Sequence, residues 1–150
     1  RDLFDQTLAE AIDKYEPALI VLAGFMRILG ADFVKRYEGK ILNIHPSLLP
    51  DYPGTNTHQR VLDAGEKSHG VSVHFVTEEL DGGPVIAQES ISIQSCDDAE
   101  SLAIKTHEKE HLLYPIVASW FADGRLRLDG NDAFLDEQLL AANGEQIDTS

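Results

Sequence analysis

One cysteine stands in 150 residues. No internal disulfide and no cysteine-based zinc cluster is therefore open to this chain, and a reducing compartment suits it. That thiol, Cys96, lies beside Asp97, Asp98 and Glu100, acidic neighbours that disfavour a reactive thiolate; it reads as a loop residue ahead of a helix. Positive charge is scarce, with 12 Lys and Arg against 26 Asp and Glu and a net charge of −14 at pH 7. A surface of that sign does not neutralise a phosphate backbone or settle on anionic lipid, which argues against nucleic-acid and membrane partners. Nor does any apolar run approach the roughly 18 residues of a transmembrane span, and no segment resembles a signal peptide. The expectation is a soluble, cytoplasmic protein. Its composition, 43% hydrophobic and 25% charged, suits one globular domain over residues 1–150 with a sizeable core.

One metal-site pattern is present. "HEKEH", His107 to His111, spells H-E-x-x-H, which on a helix puts two imidazoles on one face and leaves Glu108 to polarise a bound water, the arrangement of a zinc hydrolase. Three observations weigh against it. The pattern fixes only three residues in a chain with six histidines. Pro115 removes the helical N–H that would bond the His111 carbonyl, disturbing the backbone at the second supposed ligand. No third ligand is assigned; Asp132, Asp136 and Glu137 qualify only by distance along the chain. The plainer reading is a solvated helix face with Lys109 in loose ion pairs, and no metal is expected.

The order of elements predicts an α/β fold. "DLFDQTLAEAIDKY" has helical spacing with Leu3, Leu8, Ile12 and Tyr15 near one face, and Pro17 ends it. "ALIVLAG", Ala18 to Gly24, is an almost unbroken apolar run, read as a strand buried on both faces of a parallel, helix-covered sheet. "ADFVKRYEGK" is a short helix and Ile41 to His45 a second buried strand, giving a parallel strand, helix, strand unit. After a Pro- and Gly-rich stretch, Thr57 is placed to cap a helix over "HQRVLDAG". "GVSVHFVT" and "VIAQESISI" alternate like two strands joined by "EELDGGP". A long helix opens at Asp97, with Glu100 completing a capping box, and runs toward Phe121. "RLRLDGNDAFLD" reads as a hairpin turning at Asp129-Gly130.

Chemistry concentrates in "NIHPSLLP". Asn43 and His45, two apart on a strand, point to one side at its carboxyl end, where open α/β sheets build their sites. An amide donor beside an imidazole is a plausible acyl-transfer pair, one stabilising an oxyanion and the other moving protons. On spacing alone, a pair that only hydrogen-bonds its loop is an equal reading. Asp81, ahead of two glycines and a proline, is placed to reach a neighbouring imidazole, raise its pKa and fix its tautomer; turn initiation by Asp-Gly is the simpler alternative.

"LAGFMRIL", "ILNIHPSLLPDYPG", "GVSVHFVTEELDGGPVIAQ" and "YPIVASWFADGRL" closely resemble, in order and from Arg1 to about Leu140, the folate-dependent glycinamide ribonucleotide formyltransferase family of purine synthesis. Relatives that formylate initiator tRNA or hydrolyse formyltetrahydrofolate share the Asn-x-His and Leu-Asp elements but look different around "YPGTNTH" and "DGGPV". The resemblance implies a Rossmann-like fold, a mostly parallel sheet with flanking helices, and transfer of the formyl group of 10-formyltetrahydrofolate to a primary amine without metal or ATP. It also implies roles. Asn43 would stabilise the oxyanion, His45 would shuttle the proton and Asp81 would support His45. Arg1, Met26, Arg27, Ile28, Leu29, Asn43 and the run Thr77, Glu78, Glu79, Leu80, Asp81 would bind folate. His107 and Glu110 would contact the ribonucleotide, and Ser72 and His74 would stand behind the catalytic groups. The family's glycine- and serine-rich phosphate loop and its opening strands have no counterpart here. The resemblance therefore implies roughly the carboxyl-terminal two-thirds of a single domain, an exposed edge at "ALIVLAG" and a 150-residue chain that does not transfer formyl groups by itself. A hydrolase or other formyltransferase of the same superfamily, a zinc hydrolase using "HEKEH" and a non-catalytic folate-binding remnant are the alternatives. Monomer and homodimer remain equally open.

Overall fold

In the computed structural model, residues 2–23 and 29–150 are described. Their centre is a five-stranded sheet in the order β1-β2-β3-β4-β8, with β1 Ile20–Leu22, β2 Ile41–His45, β3 Ser68–Phe75, β4 Val85–Ser92 and β8 Glu145–Gln146. Pairing is parallel for β1 with β2 and for β4 with β8, and antiparallel for β2 with β3 and β3 with β4. The sheet is thus mixed where a mostly parallel one was expected. The reason is local: β3 returns beside β2, and the short "VTEELDGGP" connection carries β4 back beside β3, a span far too short for the crossover that parallel neighbours need.

Period-two alternation sorts β2 and β3 into two faces. Leu42 and Ile44 join Val71, Val73 and Phe75 in the main core, which is closed by Leu113 and Val117 of α4, Ala99–Ala122. The opposite face carries Asn43 and His45, set in register against His74 and Ser72. Ile41, further back on that polar face, packs with Phe33 and Tyr37 around α2, Ala31–Arg36. Burial on both sides of β2 holds these polar groups on a rigid, dry strand.

Several local expectations need correction. β1 is three residues long rather than seven, and Val21 is 47% exposed, so this strand is not buried on both faces. In α1, Asp2–Asp13, Leu3 points to solvent while Asp5, Leu8, Ala9 and Ile12 face inward, and Tyr15, beyond the helix, is exposed. The helix ends at Asp13, four residues before Pro17. α3, Thr57–Asp63, has Asn56 at its N-cap in a left-handed conformation, and the Thr57 hydroxyl donates to the Pro46 carbonyl instead of capping. α4 is capped by Asp98, one residue later than expected, with Ser101 rather than Glu100 completing the box. Pro115 lies inside α4 without ending it. The hairpin is as expected: β5, Leu126–Asp129, pairs antiparallel with β6, Asp132–Leu135, and β7, Gln138–Leu139, adds a third strand.

Candidate active site

Asn43 and His45 leave β2 at its carboxyl end, and each is held by a different partner. His74 donates from Nδ1 to the Phe75 carbonyl (3.0 Å), so its Nε2 is the acceptor that faces Asn43 Nδ2 at 3.2 Å. Burial pushes the His74 pKa down, and the neutral ring that results suits an acceptor. One amide hydrogen of Asn43 is thereby committed. Among the described residues the other has no partner and can meet a ligand.

His45 Nε2 lies 2.8 Å from the Tyr52 carbonyl, which can only accept, so that nitrogen carries the hydrogen and Nδ1 carries the lone pair. Nδ1 faces Asp81 Oδ2 at 3.6 Å. The second Asp81 oxygen stands 3.7 Å from His74 Nε2, and Oδ2 also accepts from the Gly54 N–H at 2.8 Å. A single carboxylate therefore links the Asn43–His74 pair to His45. Asp81 holds φ +50, a left-handed conformation that Asp tolerates better than most residues. The loop around it is tight: a Cβ on Gly83 would lie 1.8 Å from the Phe75 carbonyl oxygen, so only glycine allows the chain to pass.

Ser72, opposite His45 in register, does not touch the ring. Its hydroxyl donates to the Ser47 carbonyl (2.7 Å) and accepts from the Leu49 N–H (3.0 Å) and Gln88 Nε2 (3.1 Å), pinning the chain that leaves β2. The expectation that Ser72 and His74 stand together behind the catalytic groups thus divides into a loop anchor and an amide anchor.

Thr77, Glu78, Glu79, Leu80 and Asp81 wall a cleft whose floor includes Leu29, Asn43 and His74. Arg1, Met26, Arg27 and Ile28, the remaining expected folate contacts, lie outside the described residues. His107 and Glu110 occupy one face of α4, with His107 Nδ1 3.5 Å from Glu110 Oε2. Burial raises the Glu110 pKa, opposed by the charges of His107, His111 and, more weakly, His45. Glu110 is thus close enough to the β2 site to share its field.

Pattern reading missed five contributors. The Tyr52 carbonyl and Gly54 N–H act through backbone, and only "YPG" hinted that this loop turns sharply. Gln88 bonds the Leu49 carbonyl (2.7 Å) from inside the apolar run "VIAQ", where an amide was the available signal. His58 Nδ1 and His69 Nε2 lie 3.0 Å apart beside the same loop; burial lowers both pKa values, that of His69 to about 4.

The family model for formyl transferases matches residues 1–118. The chain belongs to the formyl transferase family. Phosphoribosylglycinamide formyltransferase of Escherichia coli K12 is 51% identical over 148 residues, covering 99% of this chain and 70% of that protein. The Haemophilus influenzae enzyme of the same name is 47% identical, over 93% of this chain and 66% of its own length. The chain thus spans about two thirds of these relatives. Among solved structures, phosphoribosylglycinamide formyltransferase from Coxiella burnetii superposes with a TM-score of 0.92 at 54% identity, covering 97% of this chain and 68% of that one. A formyltetrahydrofolate deformylase from Pseudomonas syringae pv. tomato superposes at 0.82 with 25% identity, over 87% of this chain and 44% of its own. Mixed sheet and flanking helices are those of a Rossmann-like formyl transferase.

Proposed function

We propose that the protein transfers the formyl group of 10-formyltetrahydrofolate to the amine of glycinamide ribonucleotide in purine synthesis. The observation that carries this reading is the division of labour among Asn43, His45 and Asp81. Asn43 keeps one N–H pointing at the site while His74 holds the other, so the amide is already oriented before a substrate arrives; a fixed donor of this kind stabilises an oxyanion without reorganisation. His45 has its donor nitrogen tied to Tyr52, which leaves Nδ1 to take the proton lost by the attacking amine. The nearby Asp81 carboxylate stabilises the imidazolium so formed. The same proton then goes to the departing tetrahydrofolate nitrogen as the carbon–nitrogen bond breaks.

Co-substrate placement follows from the cleft. Leu22, Leu29, Val76 and Leu80 supply apolar walls and the Thr77–Asp81 loop supplies backbone polar groups, a lining suited to a flat heteroaromatic ring. Glu110, on the α4 side, faces the ribonucleotide in this reading, with His107 beside it. Transfer from folate to water, as the deformylase name implies for that relative, is the second reading; the 51% identity to the Escherichia coli enzyme, against 25% to the deformylase, favours the amine acceptor. Product analysis with both co-substrates decides between them. Formylated ribonucleotide formed in step with tetrahydrofolate supports the transferase, whereas formate released at the same rate with and without the ribonucleotide supports the hydrolase.

A further inference from the structure

One histidine, His111, has no part in the proposed formyl transfer, and it lies against His107 at the edge of the proposed ribonucleotide site. On the exposed face of α4, His111 Nε2 and His107 Nε2 lie 2.9 Å apart, their rings nearly perpendicular. In a metal-free chain one ring nitrogen carries the hydrogen between them. That contact is the hydrogen bond between the two rings, and it shows that both Nε2 atoms reach the same point on the face of α4, where two imidazoles one helical turn apart can bind one ion. Glu110 adds a second feature. Its Oε2 faces His107 Nδ1 at 3.5 Å, the outer-shell carboxylate that holds a ligating histidine in the Nδ1–H form and turns the Nε2 lone pair outward.

We infer that His107 and His111 chelate a divalent transition-metal ion through their Nε2 atoms, with Glu110 orienting His107 from behind. Among the described residues no group of three or more His, Cys, Asp or Glu side chains is arranged around an ion, so the remaining positions belong to water. A half-open site of two imidazoles favours Ni²⁺ and Cu²⁺, which stand high in the affinity order for nitrogen ligands, and the hard cations Mg²⁺ and Ca²⁺ are poor partners for imidazole. Binding needs no new bond in the protein: the shared hydrogen moves to Nδ1 of its own ring and the ion takes its place. The site is distinct from the formyl-transfer chemistry, which involves no step at these nitrogens. It also differs from a zinc hydrolase, because Glu108 is exposed and no third side chain completes the ligand set. Continuity of α4 through Pro115 keeps the two imidazoles one turn apart.

Ni²⁺ titration of the untagged protein tests this, in a Cys96→Ser background because Cys96 is an exposed free thiol that could compete. One Ni²⁺ per chain is expected, with a rise in the thermal midpoint, since an ion that binds only the folded helix stabilises it. Ring signals of His107 and His111 should broaden in NMR while those of buried His69 and His74 do not. His111→Gln, at a solvent-facing helix position, should lose the midpoint rise and weaken binding by at least about tenfold, and Glu110→Ala should weaken it about 10- to 100-fold. Absence of binding in the millimolar range, or equal affinity in His111→Gln, would overturn the assignment.

Discussion

Asn43 with His45 and His107 with His111 are both polar pairs on one face of one element, yet they present opposite situations. At the end of β2 nearly every polar atom is committed: Asn43 to His74, His45 to Tyr52, Asp81 to the Gly54 N–H while it faces both rings. What remains is one amide hydrogen and one imidazole lone pair. On α4, among the described residues, the two imidazoles meet each other and Glu110 on an exposed face. Commitment is what converts a polar pair into a reaction centre, because a donor held before the substrate arrives needs no reorganisation at the transition state. The open pair has no such constraint and is suited to capturing a solute.

The largest test of this contrast is His45→Ala, expected to cost about 10²- to 10⁴-fold in kcat for formyl transfer, measured on the full-length enzyme. If His111→Gln costs as much, commitment has no special value. Asn43→Ala follows at about 10²- to 10³-fold. His74→Ala should cost less than Asn43→Ala and act on kcat rather than KM, since it frees the amide without removing it. An effect confined to KM would show that His74 does not orient Asn43.

Stability supplies the next test. His69 is 2% exposed and its pKa is depressed to about 4 by burial, with His58 and His45 adding to the effect. Its folded value lies below the unfolded one of about 6.5, so the unfolded chain binds the proton more readily and stability falls as pH drops from about 6.5 to about 4. The expected loss is on the order of 3 kcal/mol. Urea midpoints of the native protein and His69→Gln across that range should converge toward the acid end, and parallel curves would remove His69 as the cause. The smallest expected effect is Tyr114→Phe. Its hydroxyl lies 2.6 Å from the Leu22 carbonyl and 2.8 Å from that of Leu42, and burial pushes its pKa well up. Loss of that bond should cost about 1 kcal/mol in a urea titration.

Hydrophobic pattern and spacing carried the reader a long way along this chain. Ile41, Leu42 and Ile44 around Asn43 announced a buried strand, and the period of two put Asn43 and His45 together on one face. Resemblance singled out Asp81, whose partners could not be read from spacing because they lie on other strands and loops. The limits were of two kinds. Sheet polarity depends on where β3 returns, which strand pattern does not encode, so a mostly parallel sheet was expected where half the pairings are antiparallel. The partners of His45 are a carbonyl and those of Asp81 include an N–H, and backbone groups are present at every residue; no side-chain pattern marks which one will be used. The start of α4 was missed by one residue for a related reason: Asp97 and Asp98 can both cap, and Asp97 bonds Lys105 while Asp98 caps the helix.

Tyr114 has one hydrogen and two carbonyls within reach, one at the end of β1 and the other on the residue immediately before Asn43. The phenol is rooted in α4, four residues beyond Glu110. Helix and strand ends therefore share a single clasp, and the two neighbouring strands cannot spread at the mouth of the cleft unless α4 gives way with them. Amide hydrogens around Leu42 to Ile44 should exchange with solvent on the same slow clock as the centre of α4, and a ligand drawn to the helix face would be felt as a change in that clock at the floor of the pocket.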